Sequence, residues 1–326
     1  MKKVILSGMR PTGKLHLGHW VGALSNWVEL QKNYKCFFMI ADWHALMSEY
    51  KNASSIKENT FDNVCDWLSY GIDPESSVIF SQSEVEEHLQ LFMIFASLTP
   101  LGWLSRCPTF KEQVKQLKEK DINTYAFLGY PALQAADIVL YRADFVPVGE
   151  DQIPHLELCR EIARRFHSIY KKDIFKEPQP LLTQIPRFMG LDGRKMSKSY
   201  NNYISLDEED SELERKISEM FTDPQRKKRK DPGRPHLCNI FNYYSIFSPG
   251  EKEQVDRECR NAARGCTDCK KRLIQIMKEF VSPRRRKKKE LMRKKDYVAG
   301  ILQDGKNKAK EAASSTMQRV REAMKF

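Results

Sequence analysis

Two short segments combine residue types that can hold and polarise phosphate. The first, Pro11-Thr12-Gly13-Lys14-Leu15-His16-Leu17-Gly18-His19, follows an apolar run and opens a helical pattern. A helix N-terminus offers unpaired N–H groups and the positive end of a dipole, so an anion is favoured there. Gly13 permits a tight turn, and Gly18 lets a ligand approach the backbone closely. His16 and His19 lie three residues apart, on one helical face. Taken alone, such a pair fits a surface or metal-binding role as well as nucleotide chemistry. The second segment, Gly193-Arg194-Lys195-Met196-Ser197-Lys198-Ser199, gathers two lysines, two hydroxyls and backbone N–H groups within a few residues. Taken alone, it reads rather as a solvated basic loop.

Other residues could bind a ligand or a metal. Asp137 follows two alanines in an apolar stretch; it could cap a helix, meet an arginine or serve as a buried acceptor. Cys238, Cys259, Cys266 and Cys269 are spaced C-x20-C-x6-C-x2-C in a polar segment. Four thiolates at such spacing can enclose a metal, and generic spacing favours structural Zn²⁺. Cys36, Cys65, Cys107 and Cys159 are scattered and read as small core residues. No secretory pattern opens the sequence, so all eight cysteines are expected as thiols.

These residues must be positioned by regular elements. Apolar runs at 4–7, 36–41 and 77–80 read as strands, the second buried on both faces. Helical spacing runs from Leu17 to Val28, and residues 54–70 read as a helix stopped by Gly71. Such alternation predicts an α/β fold, a doubly wound parallel sheet with crossover helices. Ligands then sit beyond the carboxyl ends of the strands, which singles out residues 7–19, 42–44 and 81–83. Residues 100–128 break the rhythm, and the charged stretch 111–120 reads as part of an insertion. Residues 131–140 and 151–166 are apolar helices. Beyond residue 200 no strand stands out, and helices are expected at 208–221, 251–263, 270–280 and 307–324.

Composition sets the frame. The chain has 326 residues, 41% hydrophobic and 30% charged, too apolar for a disordered chain. At roughly 100–200 residues per domain it suggests about two domains. No stretch is apolar enough for a membrane span of ~20 residues, so no membrane association and a cytoplasmic location are expected. The net charge of +12 is uneven: +1 over residues 1–200 and +11 over residues 201–326. That asymmetry suggests a small-molecule half and a polyanion-binding half. Its basic runs are Arg226-Lys227-Lys228-Arg229-Lys230 and Arg284-Arg285-Arg286-Lys287-Lys288-Lys289.

The two phosphate-friendly segments together are more specific than either alone. His16-Leu17-Gly18-His19 and Lys195-Met196-Ser197-Lys198-Ser199 resemble the His-Ile-Gly-His and Lys-Met-Ser-Lys-Ser signatures of class I aminoacyl-tRNA synthetases. Tyr130-Pro131-Ala132-Leu133-Gln134-Ala135-Ala136-Asp137 and Val146-Pro147-Val148-Gly149-Glu150-Asp151-Gln152 resemble segments shared by the tryptophanyl and tyrosyl branches. Ala135-Ala136-Asp137, Gly149-Glu150-Asp151-Gln152 and Asp42-Trp43-His44-Ala45 match the bacterial tryptophanyl branch better.

The resemblance implies a Rossmann-type catalytic domain over 1–200, with a dimer-interface insertion near 85–130. It implies an all-helical anticodon-binding domain over 201–326, whose last helix returns to the first domain. The implied reaction activates L-tryptophan with ATP and Mg²⁺, then loads the terminal adenosine of tRNA(Trp); a homodimer is implied too. His16, His19, Lys195 and Lys198 would be catalytic. ATP would be held by Arg10, Pro11, Thr12, Gly18, His19, Gly149, Glu150 and Asp151, with Lys195, Met196, Ser197, Lys198 and Ser199. Arg10 stands where many bacterial members have Gln. Tryptophan would be bound by Asp137, Tyr130, Gln152, His44 and Val148, with Asp137 accepting the indole N–H. Finally, the resemblance points to a 4Fe–4S cluster on Cys238, Cys259, Cys266 and Cys269, with Zn²⁺ as the alternative. A tyrosine-specific synthetase, a tRNA-binding module and a nucleotidyltransferase of related fold are the competing readings.

Overall fold

A computed structural model describes residues 2–106, 124–182 and 188–326. The expected charged insertion at 111–120 lies outside the described residues. The chain forms two compact units: Met1–Gly13, Asn26–Pro186 and Lys294–Phe326 make the first, and Lys14–Ser25 with Arg187–Arg293 make the second.

The first unit is built on five parallel strands, β1 (Val4–Met9), β2 (Lys35–Ile40), β3 (Ser77–Ser81), β4 (Phe145–Val148) and β5 (Gln179–Leu182), in the order β3-β2-β1-β4-β5. This is the expected doubly wound α/β arrangement. The sequence Cys-Phe-Phe-Met-Ile of β2 is buried throughout because strands flank it on both edges and helices cover its faces. β1 runs past the polar Ser7-Gly8 that closed its apolar run, since pairing with β2 continues to Met9↔Ile40. Gly8 is needed there, as a Cβ would stand 2.9 Å from the Met39 carbonyl oxygen. β4 and β5 each contain a proline and carry weaker apolar patterns, and for that reason the sequence named neither.

Helices pack on both faces. The helix Ser54–Ser69 ends at Tyr70 and Gly71, whose φ of 108° suits glycine. The helix Tyr125–Leu140 begins six residues before the expected Pro131, because the Thr124 side chain caps it by accepting from the Phe127 N–H. The last helix, Lys295–Met324, packs against β3 and against the helix Glu87–Leu98. It starts twelve residues earlier than its apolar spacing indicated. Gly305, just ahead of that spacing, is where the helix crosses β3, and a Cβ there would meet the Ile79 carbonyl oxygen.

The second unit is mostly helical, with Asp210–Glu219, Asn239–Phe247, Lys252–Arg260 and the 28-residue Cys266–Arg293. An aromatic seam holds it. Phe188 meets Tyr243 at 4.8 Å between ring centroids, Phe247 meets Phe280 at 5.0 Å, and Trp20 meets Phe280 at 5.6 Å. Part of the basic run at 284–289 serves this packing. The Arg284 guanidinium lies 4.0 Å from the centre of the Phe280 ring. Arg285 pairs with Asp210 at 2.9 Å, and the buried Lys288 with Asp207 at 3.1 Å. These three side chains are committed inside the unit, which corrects the reading of the whole run as an RNA-facing surface. In contrast, Lys227, Lys228, Arg229 and Lys230 are exposed.

Candidate active site

Both phosphate-friendly segments fold into the second unit. His16 caps the short helix Leu17–His19: its Nδ1 accepts from the Gly18 N–H at 3.1 Å, while its own N–H donates to His19 Nδ1 at 3.1 Å. The rings are 3.9 Å apart. With both Nδ1 atoms accepting, each neutral ring carries its proton on Nε2, free to donate to a phosphate oxygen. Burial, and then the nearby Lys198 cation, push the His16 imidazole down to about 4. Burial, His16 and Lys198 hold His19 well below its ordinary 6.5. The pair is therefore neutral at physiological pH. Gly18 is obligatory, because a Cβ would sit 2.8 Å from His16 Cε1.

The second segment reaches the first directly. The Gly18 N–H also points at Met196 Sδ, 3.2 Å away, and Met196 is buried. The loop is shaped by Gly193, at φ 80°, and by a bridge between Met189 and Lys195. Asn202 pins it: Oδ1 accepts from the Ser197 N–H at 2.8 Å, and Nδ2 donates to Asp192 at 2.7 Å and to the Lys195 carbonyl at 3.2 Å. Lys195 and Ser199 remain exposed and Lys198 is half-buried. His16, Gly18, His19, Met196 and Lys198 are thus gathered in one place.

The residues assigned to the amino acid lie in the first unit, near the carboxyl ends of its strands. Asp137, on the helix Tyr125–Leu140, is buried. It accepts from His44 Nε2 at 2.8 Å, from His88 Nδ1 at 2.6 Å, and from Gln82 Nε2 at 2.8 and 2.9 Å. Burial alone would favour its neutral form, but the imidazoles of His88 and His44 outweigh it and hold the carboxyl at about 2. Tyr141 stands behind, its hydroxyl 2.8 Å from His88 Nε2.

A second chain links Tyr130 to Gln152. The Tyr130 hydroxyl lies 2.7 Å from His155 Nε2, and His155 Nδ1 lies 2.9 Å from Gln152 Oε1. Burial pushes His155 down to about 4, so it is neutral. Because Oε1 can only accept, Nδ1 carries the proton and Nε2 accepts from Tyr130. Gln152 Nε2 then donates to Asp151 at 2.9 Å. The guanidinium of Arg10 is also in this unit, lowered in pKa by burial against the opposing influence of Glu49 and Tyr130. Pro11 and Thr12 follow it at the end of β1, and Val148 closes β4 ahead of Gly149 and Glu150. At Gly149 a Cβ would lie 2.6 Å from Asp151 Oδ1.

The family model described as class I tRNA synthetases (W and Y) matches residues 2–282. The chain belongs to this class I synthetase family. It is 49% identical to the tryptophan–tRNA ligase of Thermotoga maritima, covering 98% of each chain. It is 40% identical to that of Aquifex aeolicus, over 98% of this chain and 99% of the relative. A crystal structure of tryptophanyl-tRNA synthetase from Campylobacter jejuni, complexed with ADP and tryptophan, superposes with a TM-score of 0.89. It is 32% identical and covers 99% of this chain and all of that one.

Several residues bonded to the candidate site carried no assigned role in the sequence. Gln82 fell in a segment expected near ligand, but without a role. His88, Tyr141, His155 and Asn202 carried no motif, and only their hydrogen bonds reveal them. The four clustered cysteines lie in the second unit. The Arg226 guanidinium is 3.9 Å from Cys259 Sγ and 3.8 Å from Cys266 Sγ. Burial raises Cys238, Cys259 and Cys269, the last to about 12, and neighbouring thiols of the set raise them further. Among the described residues, no group of three or more His, Cys, Asp or Glu stands at metal-holding spacing. No helix of the described residues is long and apolar enough to cross a membrane.

Proposed function

We infer that the chain is a tryptophan–tRNA ligase. A carboxylate oxygen of L-tryptophan attacks the α-phosphorus of Mg²⁺-ATP. The bond from that phosphorus to the β-phosphate's bridging oxygen breaks, giving tryptophanyl-adenylate and pyrophosphate. A ribose hydroxyl of the terminal adenosine of tRNA(Trp) then attacks the acyl carbon and displaces AMP. No side chain needs to be a nucleophile, so catalysis is positioning and charge stabilisation. The observation that carries this reading is the junction of the two signatures, where the Gly18 N–H meets Met196 and Lys198 lies beside both histidines.

In this reading His16 and His19 donate neutral Nε2–H groups to the phosphates, while Lys195 and Lys198 neutralise the leaving pyrophosphate. Pro11, Thr12, Gly149, Glu150 and Asp151 of the first unit, and Gly18, Met196, Ser197 and Ser199 of the second, are each assigned to ATP. Arg10, whose guanidinium lies near Glu49 and Tyr130, is assigned to ATP as well. Asp137 accepts the indole N–H, Tyr130 and Gln152 receive the ammonium, and His44 and Val148 shape the aromatic pocket. A side chain without the donor would leave a buried carboxylate unpaired, which is costly.

The same reading assigns the exposed residues 227–230 to tRNA phosphates and the enzyme to a cytoplasmic homodimer. It also assigns Cys238, Cys259, Cys266 and Cys269 to a 4Fe–4S cluster, or to Zn²⁺ in its place. Support comes from the donor set, since four thiolates are the usual ligands of either. It comes also from Arg226, whose charge would offset theirs, and from Gly233, where a Cβ would occupy space 2.4 Å from Cys259 Sγ. When bound, such a group would brace the helices that begin at Cys238 and Cys266 against the end of the helix that carries Cys259. ATP-dependent attachment of tryptophan to tRNA(Trp) tests the reading. Charging is expected with tryptophan, and its absence would overturn it.

A further inference from the structure

The Asp137 carboxylate is saturated before any ligand arrives. Oδ1 accepts from His88 at 2.6 Å and Gln82 at 2.8 Å; Oδ2 accepts from His44 at 2.8 Å and Gln82 at 2.9 Å. A carboxylate has about four lone-pair sites. An indole N–H that is to bind there must replace a donor already in place.

The three donors are not equivalent. Gln82 and His88 are each 0% exposed, and Gln82 bridges both oxygens. His88 is held from behind by the Tyr141 hydroxyl at 2.8 Å. His44 reaches towards solvent, with 13% of its side chain exposed against 3% for Asp137. It makes a single bond to Oδ2, whereas losing Gln82 would open both oxygens at once. Moving His44 therefore costs least, because its imidazole can meet water when it leaves.

Resting on the reading that Asp137 receives the indole N–H, we propose that His44 is the displaceable donor of this pocket and that Gln82 and His88 are its fixed posts. In the free enzyme His44 keeps the buried carboxylate paired. On binding it yields Oδ2 to the indole N–H, while Gln82 and His88 hold the carboxylate in the plane that receives it. His88 is then a positioning residue that acts through Asp137. The carboxyl, held at about 2, remains a pure acceptor throughout.

The full-length enzyme labelled with ¹⁵N-histidine tests this. Ring resonances of His44 and His88 are assigned with the His44→Gln and His88→Asn variants. On addition of L-tryptophan, the His44 ring nitrogens are expected to lose their hydrogen-bonded shifts while those of His88 stay. An unmoved His44 resonance at saturating tryptophan overturns the exchange. For the posts, His88→Leu is expected to raise the KM for tryptophan about tenfold, from the bare acceptor it leaves. His88→Asn, which keeps a donor at the Nδ1 position, should restore most of it, with the KM for ATP unchanged in both. Equal losses for both substrates without rescue would overturn the positioning role. Asp137→Ala tests the underlying reading separately. Unchanged tryptophan binding in that variant removes the reading itself, whereas lost binding there with an unmoved His44 removes the exchange alone.

Discussion

At the scale of single residues, this site works with neutral imidazoles. His16 sits at about 4 and His19 well below 6.5 because both are buried beside a cation. Folding thus favours their uncharged forms. A group whose folded value is depressed in this way loses protons earlier than in the unfolded chain. Its contribution to stability is complete above 6.5 and is lost as the pH falls towards 4. The ring resonances of His16 should accordingly show no titration between pH 5.5 and 8; a midpoint near 6.5 would contradict the burial argument. Gly18→Ala should displace the His16 ring from its cap, since the added Cβ would sit 2.8 Å from His16 Cε1. We expect adenylate formation to fall by about 10²–10³, the scale for losing a charge-stabilising arrangement, with tryptophan affinity much less affected. Wild-type activation in this variant would contradict the geometry.

At the scale of elements, the crossing of the last helix over β3 depends on one residue. In a free helix, alanine in place of Gly305 would gain about 1 kcal/mol. Here its Cβ meets backbone that has no rotamer to change, and overpacking of this kind costs about 1–3 kcal/mol or more. The clash wins, so Gly305→Ala should lower the urea midpoint; a rise would show that the helix can lift from the sheet without penalty. The pair of half-buried Asp207 and buried Lys288 makes a second case. Burial opposes the Asp207 charge, but Lys288, Ser205 and Lys14 outweigh it and hold the carboxyl at about 2. Its stabilisation is present above about 4 and is lost as the pH falls through about 2. Asp207→Asn should flatten the loss of stability across that window.

What the sequence revealed at this scale follows from how local each signal is. Cys36 to Ala41 declared a doubly buried strand because its environment is apolar on every side. β4 and β5 stayed hidden because four-residue strands containing prolines have almost no pattern. The catalytic loops were legible because their chemistry is contiguous in the chain. The Asp137 network was not, since Gln82, His88 and Tyr141 approach it from three separate elements. Lys288 was misread because a buried lysine within a basic run looks like its solvated neighbours until Asp207 is seen beside it.

At the scale of the whole molecule, the charge asymmetry remains after the internal pairs are subtracted. If the exposed residues 227–230 grip phosphates, replacing Lys227, Lys228 and Arg229 by glutamine should weaken tRNA binding. It should also reduce the slope of log affinity against log salt by about 2–3, near one per contact. Adenylate formation, which involves no RNA, should be spared; an unchanged slope would assign these residues to solvent. In the proposed reaction the two signature loops form one phosphate site serving tryptophan activation. Amino-acid-dependent exchange of pyrophosphate into ATP measures that step alone. With Mg²⁺-ATP, rapid exchange is expected with tryptophan, very little with tyrosine, and a loss of about 10²–10³ in His19→Ala. Tyrosine-driven exchange, or tryptophan-driven exchange untouched by His19→Ala, would contradict it.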